Sequence, residues 1–127
     1  MTVVSVEISV DVSDEEITDM IDIAGYGIGY WCERGVVNEN TRQYVVTPDE
    51  EARQDPAMSK DFIINFDDIV RVLVEIGTGK HDVGYPREYA QGWLAEKVKS
   101  GEDSGNLDST IMDCVIQVCA FGEVVFG

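Results

Sequence analysis

Basic residues are scarce in this chain of 127 residues. Nine Lys and Arg stand against 25 Asp and Glu, and the formal net charge is −16 at pH 7. The few cations are scattered along the chain, which excludes direct binding to DNA or RNA, and the negative charge disfavours anionic membrane surfaces. Two interpretations of the acidity stay open: solubility or adaptation to high salt, and attraction to a partner with a basic surface.

Cysteines and long apolar runs are also few. The three Cys are an odd number and predict reduced thiols of a cytosolic protein instead of a disulfide framework. The sequence has no run of about 18 apolar residues, so it predicts no transmembrane helix. The N-terminal sequence lacks the basic and continuous apolar regions of a signal peptide. A hydrophobic content of 44% predicts one globular domain over residues 1–127.

The most strongly patterned stretch is residues 13–32, which predicts a long amphipathic helix. Ser13 and Glu16 fit a capping box, in which the Ser hydroxyl accepts from the N3 amide and the Glu side chain returns to the cap amide. Apolar residues at helical spacing predict one buried face. They are Ile17, Met20, Ile21, Ala24, Ile28 and Trp31. Glu15, Asp19 and Asp22 fall on the opposite side as an acidic stripe.

The glycine-rich segment GYGIGY, residues 25–30, is unusual in a helix because each Gly costs about 1 kcal/mol relative to Ala. Two explanations are open: close packing against another element, or a bend or end of the helix near Gly25. Phosphate binding by a GxGxG loop requires a preceding strand. A helical pattern precedes this segment instead, which disfavours phosphate binding.

Strands are predicted from alternation and β-propensity. Residues 2–11 alternate cleanly between apolar and polar. Residues 42–47 and 61–66 are predicted to pair as a hairpin across the polar loop 48–60, which is given one helical turn near its start. Residues 123–126 predict a final short strand. Val36 and Val37 are assigned either to the end of the helical region or to a short strand before a turn at residues 38–40.

Three further helices are predicted from caps and periodicity. Asp67 is the predicted N-cap of one that stops at residues 77–79, and Asp108 caps another that is broken at residues 121–122. Between them, a helix beginning near Pro86 has an apolar side made of Tyr89, Trp93, Leu94 and Val98. The order β-α-β-β-α-α-α-β predicts an α+β fold with a small, mostly antiparallel sheet packed with three to four helices.

Residue types with catalytic or metal-binding chemistry are present without a supporting pattern. His81 precedes Asp82, an arrangement that orients an imidazole for general-base work, but a solvated loop His explains it as well. Cys32, Cys114 and Cys119 lack the tight C-x2-C spacing of a zinc site. Acidic pairs such as Asp67–Asp68 fit helix caps and loops and do not have EF-hand spacing. The sequence therefore predicts no enzyme, metal or cofactor.

The segments DEEITDMID, GYGIGYWC and the C-terminal DCVIQVCAFGEVVFG resemble small, acidic proteins of uncharacterised function from tailed bacteriophages of actinobacteria. The resemblance covers both ends of the chain and not its middle. It implies a phage origin and expression in the host bacterial cytoplasm. It implies no activity, and it carries over no site residues.

Charge and resemblance together favour an interaction protein: a phage-encoded inhibitor that occupies the basic groove of a host nucleic-acid-binding protein, such as a CRISPR or restriction effector. Carboxylates along a helix imitate a run of phosphates, which such grooves track by charge. The residues predicted to bind the partner form two clusters. They are Asp14, Glu15, Asp19 and Asp22 on the helix, and Asp49, Glu50 and Glu51 in the loop.

Two alternatives belong to other classes. One is a small-molecule-binding sponge whose pocket is lined by Tyr and Trp side chains. The candidates are Tyr26, Tyr30, Trp31, Tyr85, Tyr89 and Trp93. The other is an oligomeric virion or scaffold component, for which a homo-oligomer is expected.

Overall fold

The computed structural model describes residues 1–4, 9–103, 105 and 107–127. Within them the chain forms four α-helices and a three-stranded antiparallel sheet of order β1-β2-β3, which confirms the predicted α+β fold. The elements are α1 (Asp14–Gly27), β1 (Cys32–Asn38), β2 (Gln43–Pro48), β3 (Phe62–Asn65), α2 (Phe66–Gly77), α3 (Arg87–Ser100) and α4 (Ser109–Phe121). Two short 3-10 turns, Ala52–Gln54 and Pro56–Met58, lie between β2 and β3.

Helix α1 begins as predicted and ends earlier than predicted. The Ser13 hydroxyl accepts from the Glu16 amide at 3.1 Å. The other half of the capping box is wrong, because the Glu16 carboxylate pairs with Lys97 at 2.6 Å. The helix stops at Gly27 and not at residue 32, since Cys32 opens β1 and pairs with Pro48. Trp31 is still buried, as its apolar character required.

The three glycines of the GYGIGY segment serve different purposes. A Cβ at Gly27 would collide with the backbone carbonyl of Ser109, so this glycine lets α1 approach the first turn of α4 closely. A Cβ at Gly25 or Gly29 would meet nothing within 4 Å. Close packing, one of the two explanations offered by the sequence, therefore applies to Gly27 alone.

This difference predicts opposite effects of two neighbouring Ala substitutions. Gly25→Ala should raise the free energy of unfolding by about 0.5–1 kcal/mol, because the position is helical and open. Gly27→Ala should lower it by about 1–3 kcal/mol, because α1 must move away from α4. Urea denaturation of both variants measures the two values. Equal effects of the two substitutions would contradict the described α1–α4 contact.

The sheet is built on β2. Its inward positions Tyr44, Val46 and Pro48 are buried, and β3 pairs with it antiparallel across the long connection, as predicted. Strand β1 contains Val36 and Val37 and pairs with β2 on one side. After Cys32 every residue of β1 is exposed.

Two predicted features of the later helices are wrong. Asn65, not Asp67, occupies the N-cap of α2, and the Asp67 carboxylate instead accepts from Arg42 at 2.8 Å. In α3, Tyr89 and Val98 are exposed although they were assigned to the apolar side. Lys97 is buried in their place. The stop of α2 at residues 77–79 and the Asp108 cap of α4 are confirmed, the latter by a 3.0 Å bond from the Ile111 amide to the Asp108 carboxylate.

The predicted terminal strands have different outcomes. In the predicted strand 2–11, residues 5–8 lie outside the described residues, and the flanking residues have no regular secondary structure. The predicted strand at 123–126 is wrong, because these residues form an irregular tail that folds back on α4. Among the described helices, none has the length and apolar character that a membrane crossing needs.

Candidate functional site

A cleft of about 330 Å³ opens at the corner where the chain leaves α1 and enters β1. Three segments meet there: this corner, the loop after β2 and the C-terminal tail. The lining residues are Tyr30, Trp31, Asp49, Glu51, Ala52, Asp55, Met58, Val125 and Phe126. Aromatic and apolar side chains thus lie beside three carboxylates, and no lysine or arginine belongs to this lining.

A buried hydrogen-bond network fixes the Tyr30 and Trp31 side chains behind the cleft. The Asp113 carboxylate accepts from the Tyr30 hydroxyl at 2.6 Å and from the Trp31 indole nitrogen at 2.8 Å. Gln117, one turn further along α4, donates to the same carboxylate at 2.9 Å. Burial, together with the bond to Asp113 and its charge, raises the pKa of Tyr30 well above its usual value. The Tyr30 hydroxyl therefore stays protonated and keeps its bond to Asp113.

Gln117 also anchors the C-terminal tail. Its side-chain oxygen accepts from the backbone amides of Val125 and Phe126 at 2.8 and 2.7 Å, and its nitrogen lies 3.1 Å from the Phe126 carbonyl oxygen. The Phe126 ring then stacks on Trp31 with centroids 5.4 Å apart and an interplanar angle of 9°. Phe121 meets both rings edge to face. The tail is thus a wall of the cleft.

The acidic rim of the cleft comes from the loop after β2. The Asp49 amide donates to the Trp31 carbonyl at 2.8 Å, which ties this loop to the α1–β1 corner. One oxygen of Asp49 accepts from the Ala52 amide at 2.8 Å, and one of Asp55 accepts from the Ala57 amide at 2.9 Å. Glu51 is exposed. In the described part of the chain, the second oxygens of Asp49 and Asp55 have no partner.

The predicted partner-binding residues occupy two places. Asp14 is held by Arg42 at 3.0 Å, and Arg42 also binds Asp67, so the charge of Asp14 is partly offset. Glu15, Asp19 and Asp22 are exposed along α1 and form no ion pair with any described residue. Asp49 and Glu51 line the cleft, whereas Glu50 belongs to an adjoining open surface. The first cluster thus runs along α1 from its N-terminus, whereas the second lies beside the segment that follows the C-terminal end of this helix.

The aromatic pocket expected of a sponge is assembled only in part. Tyr30 and Trp31 line the cleft and are joined by Phe126, which the sequence did not single out. Trp93 is fully buried in the core. The remaining candidates are exposed outside the cleft; they are Tyr26, Tyr85 and Tyr89.

Sequence reasoning missed the polar pair beneath the cleft. Asp113 and Gln117 are buried on α4, a helix whose other central residues are apolar. An acid and an amide at i, i+4 on an otherwise apolar helix signal a buried polar network, since such groups need partners when they are buried. That signal was available in the sequence, although the partners Tyr30 and Trp31 were not.

Within the described residues, His81 and the cysteines show neither the His81–Asp82 pairing nor the metal-ligand group considered from the sequence. His81 pairs with Glu75 at 3.1 Å and not with Asp82, which instead accepts from the Gly84 amide. Burial raises the pKa of Cys114 to about 11 and that of Cys119 to about 12, so both thiols are protonated near neutral pH. Within the described ranges, no group of three or more His, Cys, Asp or Glu side chains has the arrangement of a metal site.

Comparison of the chain with protein-family models, curated protein sequences and solved structures gives no match. The cleft and the acidic surface are therefore the features of the molecule from which a function is inferred.

Proposed function

We propose that the protein is a non-enzymatic interaction protein that binds the basic surface of a nucleic-acid-binding protein. In this proposal it is encoded by a phage, acts in the bacterial cytoplasm and takes the place of nucleic acid on a host defence effector. The observation that carries the proposal is the cleft at the α1–β1 corner, where aromatic rings adjoin carboxylates. Such a lining suits the guanidinium of an Arg or the ammonium of a Lys.

The chemistry of the cleft supports a cationic group of a protein over an anionic ligand. Asp49, Glu51 and Asp55 would repel a phosphate or carboxylate, whereas they attract a cation. The exposed ring of Tyr30 and the half-buried ring of Phe126 provide surfaces on which the aliphatic stem or planar head of the side chain can pack. Arg is one of the residues enriched among interface hot spots, which occupy well-packed pockets of the partner.

The acidic stripe on α1 supports a partner that normally binds nucleic acid. Glu15, Asp19 and Asp22 project from one helix face at axial spacings of about 4.5–6 Å, which is wider than the rise of about 3.4 Å between phosphates of one DNA strand but likewise forms a linear run of negative charges. Their charges are unpaired within the described residues. With a net charge of −16, the molecule is drawn to the positive channel that holds a nucleic-acid backbone.

The test is affinity capture from bacterial lysate, followed by competition. Wild-type protein should retain nucleic-acid-binding proteins at low salt, release them at high salt and lose them to added duplex DNA. The purified captured protein should then lose its own DNA binding when wild-type protein is added. A variant carrying Asp19→Lys, Asp22→Lys and Glu51→Lys should weaken this inhibition by about tenfold or more.

The matched control carries Glu88→Lys, Glu102→Lys and Asp103→Lys. These three acids are exposed away from the stripe and cleft, and their reversal changes the net charge by the same amount. If both triple variants lose inhibition equally, only total charge matters and the assignment to the cleft and stripe is wrong. If the wild-type protein retains no nucleic-acid-binding protein from the lysate, the proposed function is wrong.

A small-molecule sponge stays as the second candidate, because the same cleft would accept a free amine or guanidine. A polyamine or an arginine derivative that raises the melting temperature of the isolated protein would favour it. The Glu51→Lys variant should abolish that rise, and Glu102→Lys should leave it unchanged.

A further inference from the structure

Strand β1 is an exposed sheet edge lying next to α1. It pairs with β2 on one side, and no described strand pairs with its other side. From Glu33 to Asn38 every residue is exposed. An edge of this kind presents unpaired backbone N–H and C=O groups, which readily accept another extended chain.

A groove runs between this strand and α1. Near the hairpin tip it has a volume of about 600 Å³, and Thr18 and Asp22 of α1 face Val37 and Glu39 across it. Towards the other end of β1, a second space of about 330 Å³ lies between the same two elements, beside Gly25 and Gly29. The floor there includes Tyr44, whose hydroxyl leaves no room for a Cβ at Gly35.

The two glycines give an independent indication that something fits in the groove. Gly25 and Gly29 both line it, and a Cβ at either position would meet nothing within 4 Å. In the isolated molecule an Ala at Gly25 would favour α1, so packing inside this chain does not account for the glycine. A backbone lying along the groove would account for it, because glycine permits close approach of another chain.

We infer that this groove binds an extended, Lys- and Arg-rich segment of the partner as an additional strand on β1. The inference rests on the proposed function, from which the basic character of the partner is taken. Charge selects the occupant: Asp22 and Glu39 border the groove near the hairpin tip and form no ion pair with any described residue. At the other end Glu33 pairs with Arg53 at 3.0 Å, and Arg34 is the one cation among the described residues that line the groove. A second copy of this chain would bring further negative charge to the same place.

The test uses a fluorescently labelled peptide of alternating Lys and Val, about as long as β1. Its matched control is the same peptide with alternate backbone amides methylated, so that it cannot donate ladder hydrogen bonds. The unmethylated peptide should bind, shift the amide resonances of residues 33–38 and bind about tenfold more tightly than its methylated form. Fluorescence anisotropy and NMR spectroscopy give these two readouts.

Gly25→Ala tests the groove without damaging the fold. It should weaken peptide binding by about fivefold or more while the variant unfolds at higher urea than wild type. Ala95→Gly, at an exposed position on α3, is the opposite control: it should lower stability and leave peptide binding unchanged. Loss of binding together with gain of stability is a combination that misfolding cannot produce.

Several results would overturn the inference that the groove binds an added strand. They are equal binding of the methylated peptide, resonance shifts confined to Glu15 and Asp19, no binding at millimolar peptide, and a stable dimer that buries β1 without peptide. None of these results tests the proposed function, because the capture and inhibition experiment tests it separately. Conversely, peptide binding on β1 with no captured nucleic-acid-binding protein would keep the groove as a strand-accepting site and reject the proposed function.

Discussion

Glu16→Gln is expected to lower the free energy of unfolding by about 2–3 kcal/mol, although Glu16 lies in the first turn of a surface helix. The reason is its partner. The Lys97 side chain is 1% exposed, and its Nζ lies 2.6 Å from the Glu16 carboxylate. The backbone carbonyls of Asp11 and Gly101 accept from the same Nζ at 3.1 and 3.2 Å. Without Glu16, the ammonium stays buried with neutral acceptors only.

Urea denaturation measures this loss, and two variants separate its causes. Glu15→Gln removes the same charge from the neighbouring exposed position and should change stability by less than about 0.5 kcal/mol. The double variant Glu16→Gln with Lys97→Met should recover most of the loss, because it removes the buried ammonium that Glu16 leaves unpaired. Equal effects of Glu15→Gln and Glu16→Gln would show that the ion pair does not stabilise the fold.

The ion pair between Glu16 and Lys97 shows which features of the fold can be predicted from local sequence patterns and which cannot. The Ser13 cap, the stop after Gly77 and the Asp108 cap depend on residues within a few positions of each other, and all three are confirmed. Glu16 had the right spacing for a capping box, yet a Lys 81 positions away competes for its carboxylate. Tertiary packing decides which of the two interactions forms, and the spacing of residues in the sequence carries no information about that packing.

The predictions for the end of α1 and for the C-terminal tail were wrong for the same reason. Residues 28–31 continue the helical spacing of apolar residues, but pairing of Cys32 with Pro48 pulls the chain into β1. The valines of the tail have high β-propensity, but Gln117 satisfies the tail amides that a neighbouring strand would have satisfied. Strand propensity here marks an extended segment without specifying its partner.

Of the three carboxylates that line the cleft, two belong to the predicted partner-binding residues, and Asp55 does not. Asp49 and Glu51 were chosen for charge and do line the cleft, whereas Glu50 faces elsewhere. The cleft itself requires Tyr30, the loop after β2 and Phe126 to meet, and these are separated by long stretches of sequence. Alternation and spacing describe single elements, so they predicted the residue types of the site and not their convergence.

Asp113→Ala is expected to cost about 3 kcal/mol and to open the cleft. The substitution removes the acceptor of three donors at once, from Tyr30, Trp31 and Gln117. Trp31 is 1% exposed, so its indole N–H would be left buried without a partner, a penalty of about 1–3 kcal/mol by itself. Tyr30→Phe deletes one donor and keeps the carboxylate for the other two, so it should cost only about 1 kcal/mol.

The same substitution should release the tail, because Gln117 loses one of the bonds that orient it towards Val125 and Phe126. Phe126 would then leave Trp31, and the indole emission should shift to longer wavelength and become accessible to acrylamide. Tyr30→Phe should leave the emission near its wild-type position. If Asp113→Ala destabilises the protein while Trp31 stays shielded, the aromatic stack holds the tail without Gln117. If the tail does detach, the cleft loses a wall, and inhibition of the basic partner should weaken together with the change in emission.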